Sequence, residues 1–176
     1  METGCLPQNI ALGPKNRDMS CMTTPHAPWR VTTTHAIFAS DPAPLWKLIA
    51  QFDGLPALDP EQVESGTSSG QGVGMLRTLH IRGGGSVIEE LIAFHPEQFR
   101  LSYAMKDPVG EPWEHYFCTM QLQALGAGQT HLMATGYFQP REGQEAAARE
   151  ALAVAYHAVF IGLARALGTS LELQPG

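Results

Sequence analysis

The most regular apolar pattern in the chain runs from residue 142 to residue 167. Apolar residues recur there three or four positions apart and no proline interrupts them, which predicts one long α-helix with a buried face. The positions expected on that face are Ala148, Leu152, Ala155, Val159, Gly162, Leu163 and Ala166. Tyr156 and Phe160 lie beside this stripe and widen it. Because such a helix needs a large apolar partner, the rest of the chain is expected to supply one.

Alternation of apolar and polar residues is the pattern that fills the region before this helix. Alternation over a short segment is typical of a strand with one buried face. The segments that show it are residues 30–38, 63–67, 74–81, 86–94, 99–105, 113–125 and 130–139. Two short proline-containing helices are expected after the first segment. The sequence therefore predicts an α+β fold, with a seven-stranded antiparallel sheet packed against the C-terminal helix.

The distribution of proline and glycine divides the chain into three parts. Residues 1–28 contain prolines and glycines without a periodic apolar pattern, and we interpret them as a disordered leader. Residues 29–168 are long enough to form a single domain with its own core. Residues 169–176 are predicted to be a flexible tail.

Composition excludes several classes of protein. The net charge of −6 gives no basic surface for nucleic acid. No run approaches the roughly 20 apolar residues of a membrane span, and the N-terminus lacks a signal-peptide pattern, so we expect a cytoplasmic protein. Cys5, Cys21 and Cys118 are scattered, as are the seven histidines. This spacing predicts free thiols and no metal site, and nothing in the sequence indicates a cofactor.

A row of polar side chains is expected on the sheet face that meets the helix. Turning the more apolar set of each strand inward assigns Glu114, Tyr116, Cys118, Met120 and Leu122 to the inner face and Trp113, His115, Phe117, Thr119, Gln121 and Gln123 to the outer face. Turn positions then predict the pairs Arg77–Glu89, Glu89–Tyr103, Tyr103–Tyr116 and Tyr116–Ala134. These residues would form one transverse row under the helix.

Arg77 and Glu89 are unusual members of such a row, because a lone buried charge costs several kcal/mol. Side by side they neutralise each other, since a guanidinium matches a carboxylate geometrically. Tyr103 and Tyr116 add hydroxyl groups on apolar rings. Two interpretations stay open: a polar floor in an apolar ligand cavity, and an ion pair that only fixes strand register.

These features together bring the chain close to a known family. The matching residues are Pro44, Trp46, Ile49, Phe52, Leu55, Pro56, Pro60, Gly74, Arg77, Glu89, Leu91, Tyr103, Tyr116, Phe138 and Pro140, followed by the long helix. In their order and spacing the chain resembles the START-like, or SRPBCC, superfamily, in its polyketide cyclase/dehydratase-like branch. The resemblance implies a helix-grip fold, in which a curved seven-stranded antiparallel sheet and two short helices enclose a hydrophobic cavity with the long helix.

Two positions depart from that branch. Leu58-Asp59-Pro60 stands where the branch often has a tryptophan before the proline, and Ala134 stands where it often has a tryptophan on the last strand. Loss of an indole opens a void unless neighbours fill it. We therefore expect a roomier cavity near Ala134 and Gly136. The alternative is close helix packing through Ala155 and Gly162.

The leading functional prediction is that a small hydrophobic molecule, such as a polyketide, a lipid or an aromatic compound, binds between sheet and helix. Arg77, Glu89, Tyr103 and Tyr116 would be its polar anchors, and loops 82–85 and 107–112 would guard the mouth. The residues expected to line the walls are Trp46, Phe52, Leu58, Leu91, Leu101, Met120, Ala134, Phe138, Tyr156, Val159 and Phe160.

Catalysis is the alternative that the resemblance suggests. Glu89 would act as a base and Arg77, Tyr103 or Tyr116 as a donor to a developing enolate oxygen. A carboxylate paired with arginine is a weaker base, which counts against turnover. A third alternative is an interaction domain, which would require a filled cavity. The sequence leaves open whether the protein forms a homodimer.

Overall fold

The structure, a computed structural model, describes residues 27–126 and 128–174. The leader predicted for residues 1–28 lies almost entirely outside these ranges. The helices are α1 (Pro42–Ile49), α2 (Leu55–Leu58) and α3 (Glu145–Leu167). The strands are β1 (Arg30–Phe38), β2 (Val63–Ser69), β3 (Leu76–Ile81), β4 (Ser86–His95), β5 (Arg100–Met105), β6 (Trp113–Gly126), β7 (Gln129–Pro140) and β8 (Leu171–Gln174).

All strands of the described chain belong to one curved antiparallel sheet in the order β2-β3-β4-β5-β6-β7-β1-β8. The predicted α+β class, the meander, the two short helices and the helix-grip fold are confirmed. The core lies between the sheet and α3 and includes the side chains of Phe38, Leu132 and Leu163, all fully buried. The cavity described below lies in the same layer.

The predicted strand count of seven is wrong because the C-terminal residues add an eighth. β8 pairs with β1 in the region that was predicted to be a flexible tail, and Leu171 stands opposite Phe38 and packs on the core. A bond of 3.0 Å from the Ala39 amide to the Ser170 carbonyl starts the pairing. A four-residue strand is too short for alternation to distinguish it from a tail.

Helix α3 has the predicted length but presents a slightly different face to the sheet. Its buried residues are Ala148, Leu152, Tyr156, Phe160, Gly162, Leu163 and Ala164. Ala155 and Ala166, which were predicted to be buried, are exposed. The two aromatic rings bury more apolar area than alanine methyls can, so the helix is rotated toward them. Gly168 ends the helix in a left-handed conformation with φ of 61°.

By length and composition alone, α3 also qualifies as a membrane-spanning helix, with 23 residues and a mean hydropathy of 1.4. The sequence expectation concerned an unbroken apolar run, and Arg149, Glu150 and Arg165 interrupt this helix, so the finding does not contradict it. The apolar character of α3 has another physical cause in this fold, because Leu152, Phe160 and Leu163 pack into the core beneath the sheet.

Strand register agrees with the sequence prediction at Arg77–Glu89 and is shifted elsewhere. The observed partners are Arg77 with Glu89, Glu89 with Met105, Leu91 with Tyr103, Tyr103 with Cys118, and Tyr116 with Phe138. The predicted straight row that continues from Glu89 to Ala134 is therefore wrong. Each shift is an even number of residues, however, so Tyr103, Tyr116 and Ala134 still face the helix side.

Candidate functional site

A cavity of about 280 Å³ lies between the sheet and α3, closed at one side by α1 and α2. Its volume is close to the lower end of the roughly 300–1,000 Å³ typical of small-molecule sites. Ten of the side chains predicted to contact a ligand line it: Phe52, Leu58, Arg77, Glu89, Leu101, Tyr103, Tyr116, Met120, Tyr156 and Val159. The third alternative, a domain with a completely filled interior, is therefore not the arrangement that this chain adopts.

Five side chains proposed for the walls do not line the cavity: Trp46, Leu91, Ala134, Phe138 and Phe160. Trp46 instead stacks on Phe94 with ring centroids 5.6 Å apart. Phe160 packs edge-on against Phe38 at 6.3 Å. Ala134, Phe138 and Phe160 therefore belong to the solid core at the β1–β7 side of the molecule. Trp46 packs instead beside β4 and β5, and Leu91 is a core residue of β4.

Trp113 lines the cavity although the alternation in β6 predicted that it faces outward. The pairing of β6 with β7 shifts between Trp113 and His115, so one extra residue reverses the side-chain order there. The indole is buried and lies beside Tyr116, with ring centroids 5.3 Å apart. No local sequence signal marks this irregularity, because a bulge has no distinctive composition.

Other lining residues come from segments that carry no periodic signal. Asp59 and Gln62 follow α2, and Glu111 belongs to the loop between β5 and β6. The predicted mouth loop 107–112 therefore contributes a lining residue. Residues 82–85 do not line the cavity, although Ile81 and Val87 on either side of them do.

Arg77 and Glu89 form the ion pair that the sequence predicts. The Arg77 Nε donates to Glu89 Oε2 at 2.6 Å, and both side chains are almost completely buried, at 8% and 7% exposure. Arg77 Nη1 also donates to the backbone carbonyl of Phe52 at 2.5 Å. The guanidinium lies over the Phe52 ring at 4.1 Å and the Tyr103 ring at 5.1 Å. Hydrogen bonds and two π faces thus replace the water that the cation loses.

One polar atom of each partner remains for another molecule. Arg77 Nη2 and Glu89 Oε1 make no hydrogen bond to a residue in the described ranges, and no fully buried side-chain nitrogen or oxygen there is unsatisfied. Both side chains line the cavity. They offer a donor and an acceptor next to each other on a largely apolar wall.

Three tyrosine hydroxyls form a second polar group in the cavity. Tyr116 lies between Tyr156, at 2.7 Å between hydroxyl oxygens, and Tyr103, at 3.5 Å. Burial raises the pKa of all three hydroxyls well above the ordinary value, because a phenolate would lose its hydration. The hydroxyls are therefore neutral in any physiological buffer and serve as hydrogen-bond donors and acceptors.

Cys118 lies behind these hydroxyls and is fully buried. Burial raises its pKa to about 11, although hydrogen bonds from Tyr156, Tyr103 and Tyr116 act in the opposite direction. The side chain is thus a neutral thiol at physiological pH and not an activated nucleophile.

The space opened by the small residues on β7 is filled rather than vacant. The Tyr156 hydroxyl occupies the position above Gly136, only 2.7 Å from where a Cβ would stand. Ala134 is fully buried in the core, so the predicted roomier cavity near Ala134 and Gly136 is wrong. The alternative, that close packing through Ala155 and Gly162 fills this space, is not what the structure shows either. Gly162 does pack closely, but against the Leu58 backbone of α2. Ala155 instead borders the cavity.

Gly136→Ala is expected to destabilise the fold by about 1–3 kcal/mol, because the new methyl group meets the Tyr156 hydroxyl. Tyr156→Phe alone should cost about 1 kcal/mol by removing the 2.7 Å hydrogen bond to Tyr116. The double variant should cost less than the sum of the two, since the phenylalanine no longer opposes the methyl group. Urea denaturation of the four proteins measures this coupling, and strict additivity would contradict the packing described.

No group of three or more histidine, cysteine, aspartate or glutamate side chains within residues 27–126 and 128–174 could hold a metal ion. The polar groups on the cavity walls include the ion pair, the tyrosine hydroxyls, the carboxyl groups of Asp59 and Glu111, and the amides of Gln51 and Gln62.

The family model described as polyketide cyclase / dehydrase and lipid transport matches residues 28–168. The chain belongs to this family. Its membership in the START-like, or SRPBCC, superfamily is thereby confirmed. Proteins of this family and fold commonly bind hydrophobic ligands. No curated protein matches the chain in sequence.

Solved structures show the same fold. The X-ray structure of norcoclaurine synthase from Thalictrum flavum, in complex with dopamine and hydroxybenzaldehyde, is 14% identical with a TM-score of 0.71, covering 92% of this chain and 96% of that one. The protein XoxI from Bacillus cereus is 24% identical with a TM-score of 0.69, covering 77% and 94%. At these identities, both likenesses establish the fold of this family member.

Proposed function

We propose that this member of the family binds a small, largely apolar molecule in the cavity between the sheet and α3. The observation that carries the proposal is a 280 Å³ space whose wall holds a buried ion pair with one free donor and one free acceptor. A largely apolar enclosure with a few convergent polar groups is the usual composition of a ligand site.

The ligand that fits this description has an apolar body and one polar group. The body would contact Leu101, Met120 and Val159, and the polar group would reach Arg77 Nη2 and Glu89 Oε1. The tyrosine hydroxyls offer further hydrogen bonds because they stay neutral. A purely hydrocarbon ligand would leave the two free polar atoms unsatisfied, at a cost of about 1–3 kcal/mol.

Filling the cavity from α3 tests this proposal. Ala155→Phe places a ring in the cavity and should weaken the binding of 2-(2-naphthyl)ethanol by tenfold or more, because ring and ligand need the same volume. The matched control is Val154→Phe, on the adjacent residue, whose side chain is 53% exposed. Titration calorimetry measures both dissociation constants. Unchanged binding in Ala155→Phe, or no binding to the unaltered protein, would contradict the proposal.

Catalysis of an aldol cyclisation or dehydration is the second candidate. It is favoured by the free Oε1 of Glu89, which faces the same cavity as the neutral Tyr103 hydroxyl. The carboxylate would take a proton from a carbon acid and the hydroxyl would donate to the developing enolate oxygen. The pairing of Glu89 with Arg77 opposes this role, because the buried Arg77 cation would lose its countercharge if the carboxylate accepted a proton.

Tyr103→Phe separates the two candidates, because it removes a donor without removing a charge. An enzyme would lose turnover of a linear poly-β-ketone by about 10²-fold or more, the effect of losing one donor to an oxyanion, while still binding the naphthyl alcohol. A binding protein would show no turnover above the buffer rate before or after the change. Chromatography of the cyclised product provides the measurement.

A further inference from the structure

The charges that face the cavity are not balanced. The ionisable side chains on its walls, apart from tyrosines, are Asp59, Arg77, Glu89 and Glu111. Arg77 is the single cation among the described lining residues, and its charge is neutralised by Glu89 at 2.6 Å. Asp59 and Glu111 remain, and neither forms an ion pair with a described residue. The charged residues that line the cavity therefore carry a net negative charge, which comes from Asp59 and Glu111.

Asp59 follows α2 and is only 8% exposed. Its Oδ1 accepts one hydrogen bond, from the Gln62 amide at 3.3 Å. Burial raises the pKa of this carboxyl, the Gln62 amide lowers it, and the charges of Glu61 and Arg165 raise and lower it in turn. Asp59 also borders a second pocket, on the side where Glu61, His157 and Arg165 lie. The surroundings of Asp59 therefore stabilise its negative charge only in part.

Glu111 lies in the loop between β5 and β6 and is partly buried. Arg141 lies next to it but donates its Nε to the Glu111 backbone carbonyl at 2.9 Å and its Nη2 to the Pro108 carbonyl at 3.2 Å. That guanidinium fixes the loop and does not pair with the Glu111 carboxylate. Burial raises the pKa of Glu111, with no opposing contribution from a cation.

We propose that the cavity selects a cationic ligand, an aliphatic or arylalkyl amine, over the matching alcohol, and that it rejects the matching carboxylic acid. The inference rests on the proposed function and names the chemical class of its ligand. An ammonium group supplies the positive partner that the carboxylates of Asp59 and Glu111 lack on the cavity walls. The rings of Trp113 and Tyr116 on the same walls favour a cation further, because aromatic π faces attract positive charge.

A carboxylate ligand meets the opposite situation. It would add a third unpaired negative charge inside an enclosure of low polarity, where like charges repel strongly. The free Nη2 of Arg77 is the one available cationic donor on the described walls, and it belongs to a guanidinium that Glu89 already neutralises. An alcohol avoids this repulsion but leaves both carboxyl groups without a partner.

Three compounds with one ring system test the inference: 2-(2-naphthyl)ethylamine, 2-(2-naphthyl)ethanol and 2-naphthylacetic acid. Calorimetry of the unaltered protein at pH 7.5 should give dissociation constants at least tenfold lower for the amine than for the alcohol, and at least tenfold higher for the acid. The preference for the amine should decrease as the pH falls toward 5, because raised pKa values bring Asp59 and Glu111 into their neutral forms first.

The double variant Asp59→Asn/Glu111→Gln assigns the effect to these residues. It should lose the preference for the amine, so that the amine and the alcohol bind it about equally. Both changes keep the side-chain shape, and removing an under-compensated charge does not weaken the fold. Glu172→Gln, an exposed residue on β8 at the far edge of the sheet, is the matched control and should keep the preference.

The outcomes distinguish the inference from the function on which it rests. Binding of the alcohol with equal or weaker binding of the amine would overturn the inference and leave the proposed function standing. An amine preference that survives the double variant would also overturn it, because other groups would then be responsible. If none of the three compounds binds, both the inference and the proposed function are wrong.

Discussion

Glu89→Gln is expected to lower the free energy of unfolding by about 3–5 kcal/mol, because it leaves the buried Arg77 cation without its partner. The contact with the Phe52 carbonyl and the two ring faces remain, but they cannot neutralise the charge. Urea denaturation followed by circular dichroism gives the free energy. A loss of about 3–5 kcal/mol is a large fraction of the roughly 5–15 kcal/mol that stabilises a typical domain.

The next residue in β4 provides a matched control on the other face of the sheet. Glu90 pairs with Lys106 at 2.7 Å, but the lysine is 52% exposed. Glu90→Gln should therefore cost less than about 1 kcal/mol. The double variant Arg77→Met/Glu89→Leu should recover most of the loss, since apolar residues can replace a buried ion pair at little cost. Equal costs for Glu89→Gln and Glu90→Gln would show that the burial of the pair has no energetic consequence.

Alternation in the strands was sufficient to find this pair, and the reason is physical. A side chain's face depends only on whether its position is odd or even along a strand. The turn centred on Gly83 is short, so it also fixed the partner of Arg77 correctly. Tyr103 and Tyr116 were assigned to the correct face for the same reason, although their partners across the sheet were wrong.

The partners could not be predicted where the backbone departs from regular pairing. β4 and β5 are joined through a short 3-10 turn at Pro96–Gln98, and their register shifts again between Leu91 and Ala93. The irregularity at Trp113 has the larger consequence, because it turns an indole into the cavity. A bulge inserts one residue without a distinctive composition, so alternation cannot show where the parity changes.

The carboxyl groups that we propose to select the ligand were also beyond sequence analysis. Asp59 and Glu111 lie outside the strands and long helix, in segments where no period predicts the direction of a side chain. Their approach to the same cavity depends on how α2 and the β5–β6 loop pack. The sequence therefore indicated an apolar cavity with an ion pair, whereas its net negative lining is visible only in three dimensions.

Gly162→Ala is expected to destabilise the protein by about 2–3 kcal/mol, because the new methyl group would overlap the Leu58 carbonyl group. Helix propensity alone would give the opposite result, since alanine is favoured over glycine by about 1 kcal/mol within a helix. The obstructing atoms belong to the Leu58 backbone, so they can move away only if the whole of α2 shifts. Leu58 and the adjacent Asp59 both line the cavity, and binding of the naphthyl ligands should weaken together with stability.

Ala166→Gly is the matched control, because this residue lies one turn later on α3 and is exposed. This change measures the effect of helix propensity in the same helix. It should lower the free energy of unfolding by about 1 kcal/mol without changing ligand binding. Urea denaturation and calorimetry of the two variants separate backbone contact from propensity. If Gly162→Ala stabilises the protein, α2 does not rest on α3 at this point. The wall that holds Leu58 and Asp59 would then have to be supported by other contacts.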